Sequence, residues 1–244
     1  SRGLGDVYKR QINNVYILTS AELLVLAAGK GLDGIFCLDN SVTEPDETEV
    51  CKAMNHLYQQ GILQNADDGA FVLNEDMQDI MTAVSQAQTM VLVRSFTGIP
   101  TLKVIYIGRT LAAAEQLMTG EDAFRLYSIL EEELMDFLVD DVSGKGRGYR
   151  PVLDEDNVLD MILNSGDILQ QRELDKLGNV LALFEAASRD TGKVKRRIVW
   201  MQGSEAQKIY DYGPEKKTKE ISGKQEILQA VIGMIQEVLI YDFS

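Results

Sequence analysis

The 244 residues carry 24 Lys and Arg against 38 Asp and Glu, a formal net charge of −14, and 45% of them are apolar. That length and apolar share support a sizeable core, in one large domain or two small ones, and argue against disorder. The negative balance excludes a general attraction to nucleic-acid phosphates or anionic lipid, so either partner would need a local basic patch.

In chain order, Ser1 to Gln11 resembles a translated sequencing-adapter tail and fits no pattern downstream; residues 1–13 are set aside as non-native and expected to be disordered. Val15 to Gly29 reads as a short apolar lead-in, a polar N-cap at Thr19 and an apolar helix. Thr43–Asp46 is an acidic, Pro-containing loop. Glu47 or Thr48 then begins a helix in which Val50, Met54, Leu57 and Tyr58 recur at helical spacing, and Gly61 stops it. Ile62-Leu63 and Ala70–Leu73 flank a polar turn and read as two short strands, which gives this N-terminal part a winged-helix-like order. Glu75–Gln88 is a further amphipathic helix.

The first strand set follows as Met90–Phe96, Thr101–Ile107, Leu111–Met118 and Ala123–Tyr127, and Ser128-Ile-Leu-Glu131 has the form of a capping box opening a helix over Glu131–Val142. Apolar residues at successive positions, as in Met90 to Val93, predict a largely antiparallel sheet with helices against both faces. A glycine-rich hinge spans residues 143–149. Beyond it lie a helix over Glu155–Leu163 with Asp154 as its cap, a long helix over Asp167–Ser188, and strands at Val194–Met201, Gln207–Tyr212 and Lys217–Ile221. Ser222-Gly-Lys-Gln225 then opens a helix over Lys224–Leu239. Matching strand sets, each followed by a box and an amphipathic helix, predict a pseudo-duplicated α+β chain. Its central sheet is mainly antiparallel and flanked by two helical subdomains, with halves at 14–142 and 150–244 forming one compact unit.

Catalytic patterns are poor. His56, the single histidine, has no Cys or His at metal-ligand spacing and reads as a helix-surface residue. Ser143 to Gly148 lacks the leading Gly and the Lys-Ser/Thr pair of a phosphate loop. Runs such as Glu131 to Glu133 read as solvated faces, so the expectation is no enzyme, no cofactor and no metal. Cys37 and Cys51 are too few for a disulfide framework and read as half-buried reduced thiols of a cytoplasmic protein. No apolar run reaches the length of about 20 residues that a membrane helix needs. One basic cluster remains, Lys193 to Arg197 opposite Lys208 and Lys216 to Lys219. It reads either as protection of an edge strand or as a docking surface for an acidic helical partner.

The opening helix with its Leu-Thr-Ser-Ala-Glu-Leu segment at Leu18–Leu23, the Gly61-Ile-Leu hairpin and the two strand-and-helix units together resemble the EspG-like chaperones of type VII secretion systems, closest to relatives in Gram-positive bacteria outside the mycobacteria. The resemblance covers about Asn14 to Ile240. It implies a central antiparallel sheet with two helical bundles about an approximate twofold. It also implies a cytoplasmic adaptor that binds helical-hairpin secretion substrates, with the secretion ATPase as a further partner, as a monomer or homodimer. No residue roles transfer with it. Candidate contacts are Arg94, Phe96, Ile99 and Lys103 near the first strand pair and Arg197, Trp200, Lys208 and Tyr210 near the second, because aromatic and Arg side chains concentrate interface energy. The alternatives are core packing for Trp200 and a winged-helix transcriptional regulator or other interaction module for the whole.

Overall fold

The computed structural model describes residues 15–32, 35, 45–67, 69–96, 101–117, 122–130, 133–134, 138, 159–160, 163–169, 179–203, 205–213, 217–221 and 223–242. The expected N-terminal tail, the hinge at 143–149, Asp154, Ser222, Cys37 and Ile99 lie outside them. The chain opens with strand β1 (Tyr16–Leu18) and helix α1 (Ser20–Gly29). Thr19 is the N-cap: its Oγ1 accepts from Glu22 N at 3.3 Å while Thr19 N donates to Glu22 Oε2 at 2.7 Å. Helix α2 (Glu47–Gln59) has the same reciprocal box between Asp46 and Glu49, which sets its start at Glu47, the first of the two expected positions. Gly61 follows at φ +72°, a left-handed conformation suited to glycine at a helix end.

The short pair β2 (Leu63–Asn65) and β3 (Phe71–Leu73) forms a separate antiparallel hairpin, and α3 (Glu75–Gln86), capped by Asn74, leads into the main sheet. That sheet contains β4 (Thr89–Ser95), β5 (Thr101–Ile107), β6 (Leu111–Leu117), β7 (Phe124–Ile129), β8 (Val180–Ser188), β9 (Val194–Gln202), β10 (Gln207–Tyr212) and β11 (Lys217–Ile221), and the chain closes with helix α4 (Lys224–Asp242). With β1 at one edge the order is β1-β7-β6-β5-β4-β8-β9-β10-β11, nine strands, every neighbouring pair antiparallel. Two four-strand meanders, β4 to β7 and β8 to β11, thus meet at their first strands.

The structure departs from the sequence pattern at β8 and at Ser128. The long helix expected over Asp167–Ser188 is wrong in its second part, because Val180–Ser188 is β8, an inner strand that joins the second meander to β4 of the first. Leu, Ala and Glu favour a helix locally, but strand pairing on both sides, with Ala182 to Ser95 and Trp200, overrides that preference. Ser128 is not a helix cap. It lies within β7 opposite Ala112, and the chain turns later, where Glu133 N donates to the Leu130 carbonyl.

Helices cover both faces, which explains the unalternating apolar runs. On one face α4, through Ile227, Val231, Met234 and Ile235, and the segment carrying Leu134 and Leu138 bury Val91, Val93, Ile105, Phe184, Ile198 and Trp200. On the other, α1 to α3 pack Leu23, Leu57, Met77, Ile80, Met81 and Val84 over Met90, Leu92, Val104, Tyr106 and Phe124. Each such fully buried side chain contributes about 1.5–3 kcal/mol relative to exposure. Beside them, Leu159, Leu163 and Leu169 cover Leu183, Val199 and Met201. Cys51, expected half-buried, is exposed.

Candidate partner-binding surface

Strand alternation sorts the candidate residues by face, and with them the basic run on β9. Arg197 pairs with Glu185 of β8 on the face covered by α1 to α3 and by Leu159 to Leu169. Its Nε and Nη2 donate to Glu185 Oε1 at 2.9 and 2.8 Å, and both residues are almost wholly buried, at 1% and 0% exposure. Arg94, on β4, donates to the other oxygen, Glu185 Oε2, at 2.9 Å. The cluster also holds the chain that crosses above it. Leu169 N donates to Glu185 Oε1 at 3.2 Å, and Arg197 donates to the carbonyls of Ser165 and Asp167 at 3.1 and 2.7 Å. Taking three charges out of water is tolerable only with this degree of pairing and hydrogen bonding.

Arg196 points to the opposite face, where Nε and Nη2 donate to the two oxygens of Asp211 at 2.9 and 2.7 Å and Nη1 donates to Glu237 on α4. The hydrogen bonds to Asp211, reinforced by the charges of Asp211 and Glu237 and only partly opposed by burial, push the Arg196 guanidinium above its ordinary pKa. Lys193 pairs with Asp167 at 2.6 Å and Lys195 donates to Thr89 at 3.0 Å. Of the basic patch expected at Lys193 to Arg197, the two arginines are therefore divided between two faces and taken up by internal partners, while Lys193 and Lys195 stay exposed.

The other candidates separate in the same way. Lys103 is buried on β5, directly across from Glu115 of β6, which itself lies opposite Arg125 of β7. Trp200 is buried in the core beneath α4, its Nε1 donating to Gln207 at 3.1 Å. Arg94, Lys103, Arg197 and Trp200 thus shape the sheet from within and offer little surface of their own. Phe96, Lys208 and Tyr210 are partly exposed. Phe96 and Tyr210, together with Tyr212, pack against the Leu159, Leu163 and Leu169 cluster, and Lys208 lies on the same face of β10 as Tyr210. Tyr212 was not among the sequence candidates, although the spacing of 208, 210 and 212 places it on their face. These residues form a half-exposed aromatic shelf at the outer side of the second meander.

Among the described residues no group of three His, Cys, Asp or Glu side chains is placed to hold a metal ion, and no helix is long and apolar enough to cross a membrane. His56 lies on the surface of α2 with Nδ1 against the buried Glu22 carboxylate that caps α1, so its contacts tie two helices together.

No protein-family model matches this chain, and no curated protein matches it. Among solved structures it matches the Mycobacterium tuberculosis type VII secretion system chaperone EspG5, determined in complex with the PE25-PPE41 dimer, with a TM-score of 0.55 over 88% of this chain and 93% of that one. The chain has an EspG-like fold. At 12% identity the EspG likeness is one of architecture, so residue roles have to come from this chain's own geometry.

Proposed function

We propose that this chain is a cytoplasmic, non-enzymatic adaptor that binds a helical-hairpin substrate of a type VII secretion system before export. The observation that carries the reading is the extent of the EspG likeness: it takes in nearly the whole of both chains, so sheet and helical parts correspond together. The aromatic shelf of Phe96, Tyr210 and Tyr212, with Lys208 beside it, is the surface proposed to cover the apolar tip of the hairpin; Ile99, three residues after Phe96 in the sequence, is kept as a proposed contact on its residue type alone. Half-exposed Tyr and Phe side chains can bury large areas at small entropic cost, and one Lys at the margin orients an acidic neighbour without paying full desolvation. The buried Arg94, Glu185 and Arg197 cluster would hold the shelf's supporting segment in place.

This reading is favoured over a winged-helix regulator because α2 and the β2–β3 hairpin expose Glu47, Glu49 and Asp67, which repel the phosphates a DNA reader must neutralise. The test is co-expression with a helical-hairpin secretion substrate from the same genome, followed by size-exclusion chromatography and titration calorimetry. A stable complex is expected, and Lys208→Ala with Tyr210→Ala should weaken it at least tenfold. Failure to co-elute at micromolar concentrations would overturn the assignment.

A further inference from the structure

The β2–β3 hairpin carries three of the six large apolar side chains that are exposed among the described residues, if Tyr58, which stacks against it from α2, is included: Tyr58 at 46%, Phe71 at 53% and Val72 at 43%. Register explains the placement. Leu63 pairs with Leu73 and Asn65 with Phe71, so these four share a face; the leucines turn toward the core, while Phe71 overhangs it and meets the Tyr58 ring edge-on at 6.2 Å. Val72, opposite Gln64, points to the other side. A two-stranded ribbon of this size is marginal alone. Here it is tied down: Asn74 N donates to the Ile62 carbonyl at 2.8 Å, Asn74 Nδ2 to the Gly61 carbonyl at 3.1 Å, and Asn65 Nδ2 to the Tyr58 hydroxyl at 3.2 Å. The apolar tip is therefore preorganised, which lowers the ordering cost of any contact it makes.

Its surroundings specify the sign of that contact. Glu47 and Glu49 on α2, Asp67 in the hairpin and Glu75, Asp76 and Asp79 on α3 are all exposed, while Lys52 is the one Lys or Arg in the sequence between Asp46 and Asp79. That ratio is far more acidic than the chain's 38 to 24. Phosphate-bearing partners are repelled, whereas a segment that alternates apolar residues with Lys and Arg meets both an aromatic anchor and a complementary field. We propose that the hairpin and α2 form a second docking surface, which takes a basic amphipathic segment of a protein partner. It is distinct from the aromatic shelf on β10. Helix α3 lies across β5 to β7, and β6 is five strand steps from β10, about 24 Å at the usual strand spacing. The two surfaces can be occupied together, so the chain could hold one protein while presenting it to another.

The test uses the full chain and a fluorescein-labelled synthetic amphipathic peptide of about five helical turns, with Lys and Arg flanking a Leu/Phe stripe, alongside its Glu-for-Lys counterpart. Anisotropy is read at physiological ionic strength. The basic peptide should bind and the acidic one should not. Phe71→Ser with Val72→Ser should weaken binding at least tenfold at unchanged melting temperature, whereas Tyr210→Ala should leave it unaltered. Equal affinity for the wild-type chain and the hairpin variant would overturn the proposal, since the peptide would then be adsorbing to net charge. So would self-association in sedimentation that the hairpin variant abolishes, which would mean a second copy covers the patch. Substrate co-elution with the hairpin variant is scored separately, so loss of this surface and loss of the chaperone reading give different results.

Discussion

Arg196 and Arg197 are neighbours in sequence and belong to different structures. Arg197 lies in a nearly dry cluster with Glu185 and Arg94, and its remaining donors hold backbone carbonyls of the segment above it. Arg196 is on the other face, 21% exposed at its side chain, and joins β10 to α4 through Asp211 and Glu237. Each arginine ties a covering element to the same strand, one on each side of the sheet. The difference is the solvent: a pair without water is costly to break, and a pair at the boundary is cheap to break and responds to salt.

The largest loss of stability is expected from Glu185→Ala. It removes the buried carboxylate that Arg94 and Arg197 share and the acceptor of the Leu169 amide. Losing one partner of a buried ion pair typically costs about 3–5 kcal/mol. Urea unfolding should show a loss of that order, and hydrogen exchange at the Leu169 amide should accelerate. A loss below about 1 kcal/mol would mean that water reaches the cluster and that the two arginines are alike. Next in size is Arg196→Ala, expected to cost about 1–2 kcal/mol, since charge-assisted bonds are lost but Asp211 and Glu237 can turn to solvent. The gap between wild type and Arg196→Ala should shrink in high salt, and the gap for Glu185→Ala should not.

Much of this architecture is legible in the chain, and where it is not the reason is physical. The strands Thr101–Ile107, Gln207–Tyr212 and Lys217–Ile221 appear where apolar runs and turn residues place them, and Thr19 caps its helix as its position before Ser20-Ala-Glu suggests. Strand β8 is illegible because six of the nine residues in Val-Leu-Ala-Leu-Phe-Glu-Ala-Ala-Ser are the helix formers Leu, Ala and Glu, and both of its faces are buried, which erases alternation. The same error hides the site. Once Glu185 is placed on a strand, its register opposite Leu92 and Arg197 becomes evident, and the basic run resolves into two clamps. Within the aromatic shelf, Tyr210 could be nominated from residue type, but its closeness to Phe96 and to Leu159, Leu163 and Leu169 depends on non-local packing that no local pattern carries.

The smallest effect is expected at Gly213, beside Arg196. A Cβ placed at Gly213 would stand 3.3 Å from Arg196 Nε and 3.4 Å from its Cδ, close enough that the arginine must shift by a few tenths of an ångström. A free surface arginine would move at no cost. Arg196 is held from two directions, by Asp211 on β10 and by Glu237 on α4, so the shift has to stretch one of those contacts. Gly213→Ala should therefore destabilise the protein by less than about 1 kcal/mol, a small overpacking penalty. In the Arg196→Ala background the same substitution should be neutral or slightly stabilising, because the obstacle is gone and an alanine restricts the unfolded chain more than a glycine. The double-mutant cycle isolates that coupling. Equal effects in both backgrounds would show that Arg196 is not fixed by its two carboxylates, and α4 would then owe its position to apolar packing through Ile227, Val231 and Met234 alone.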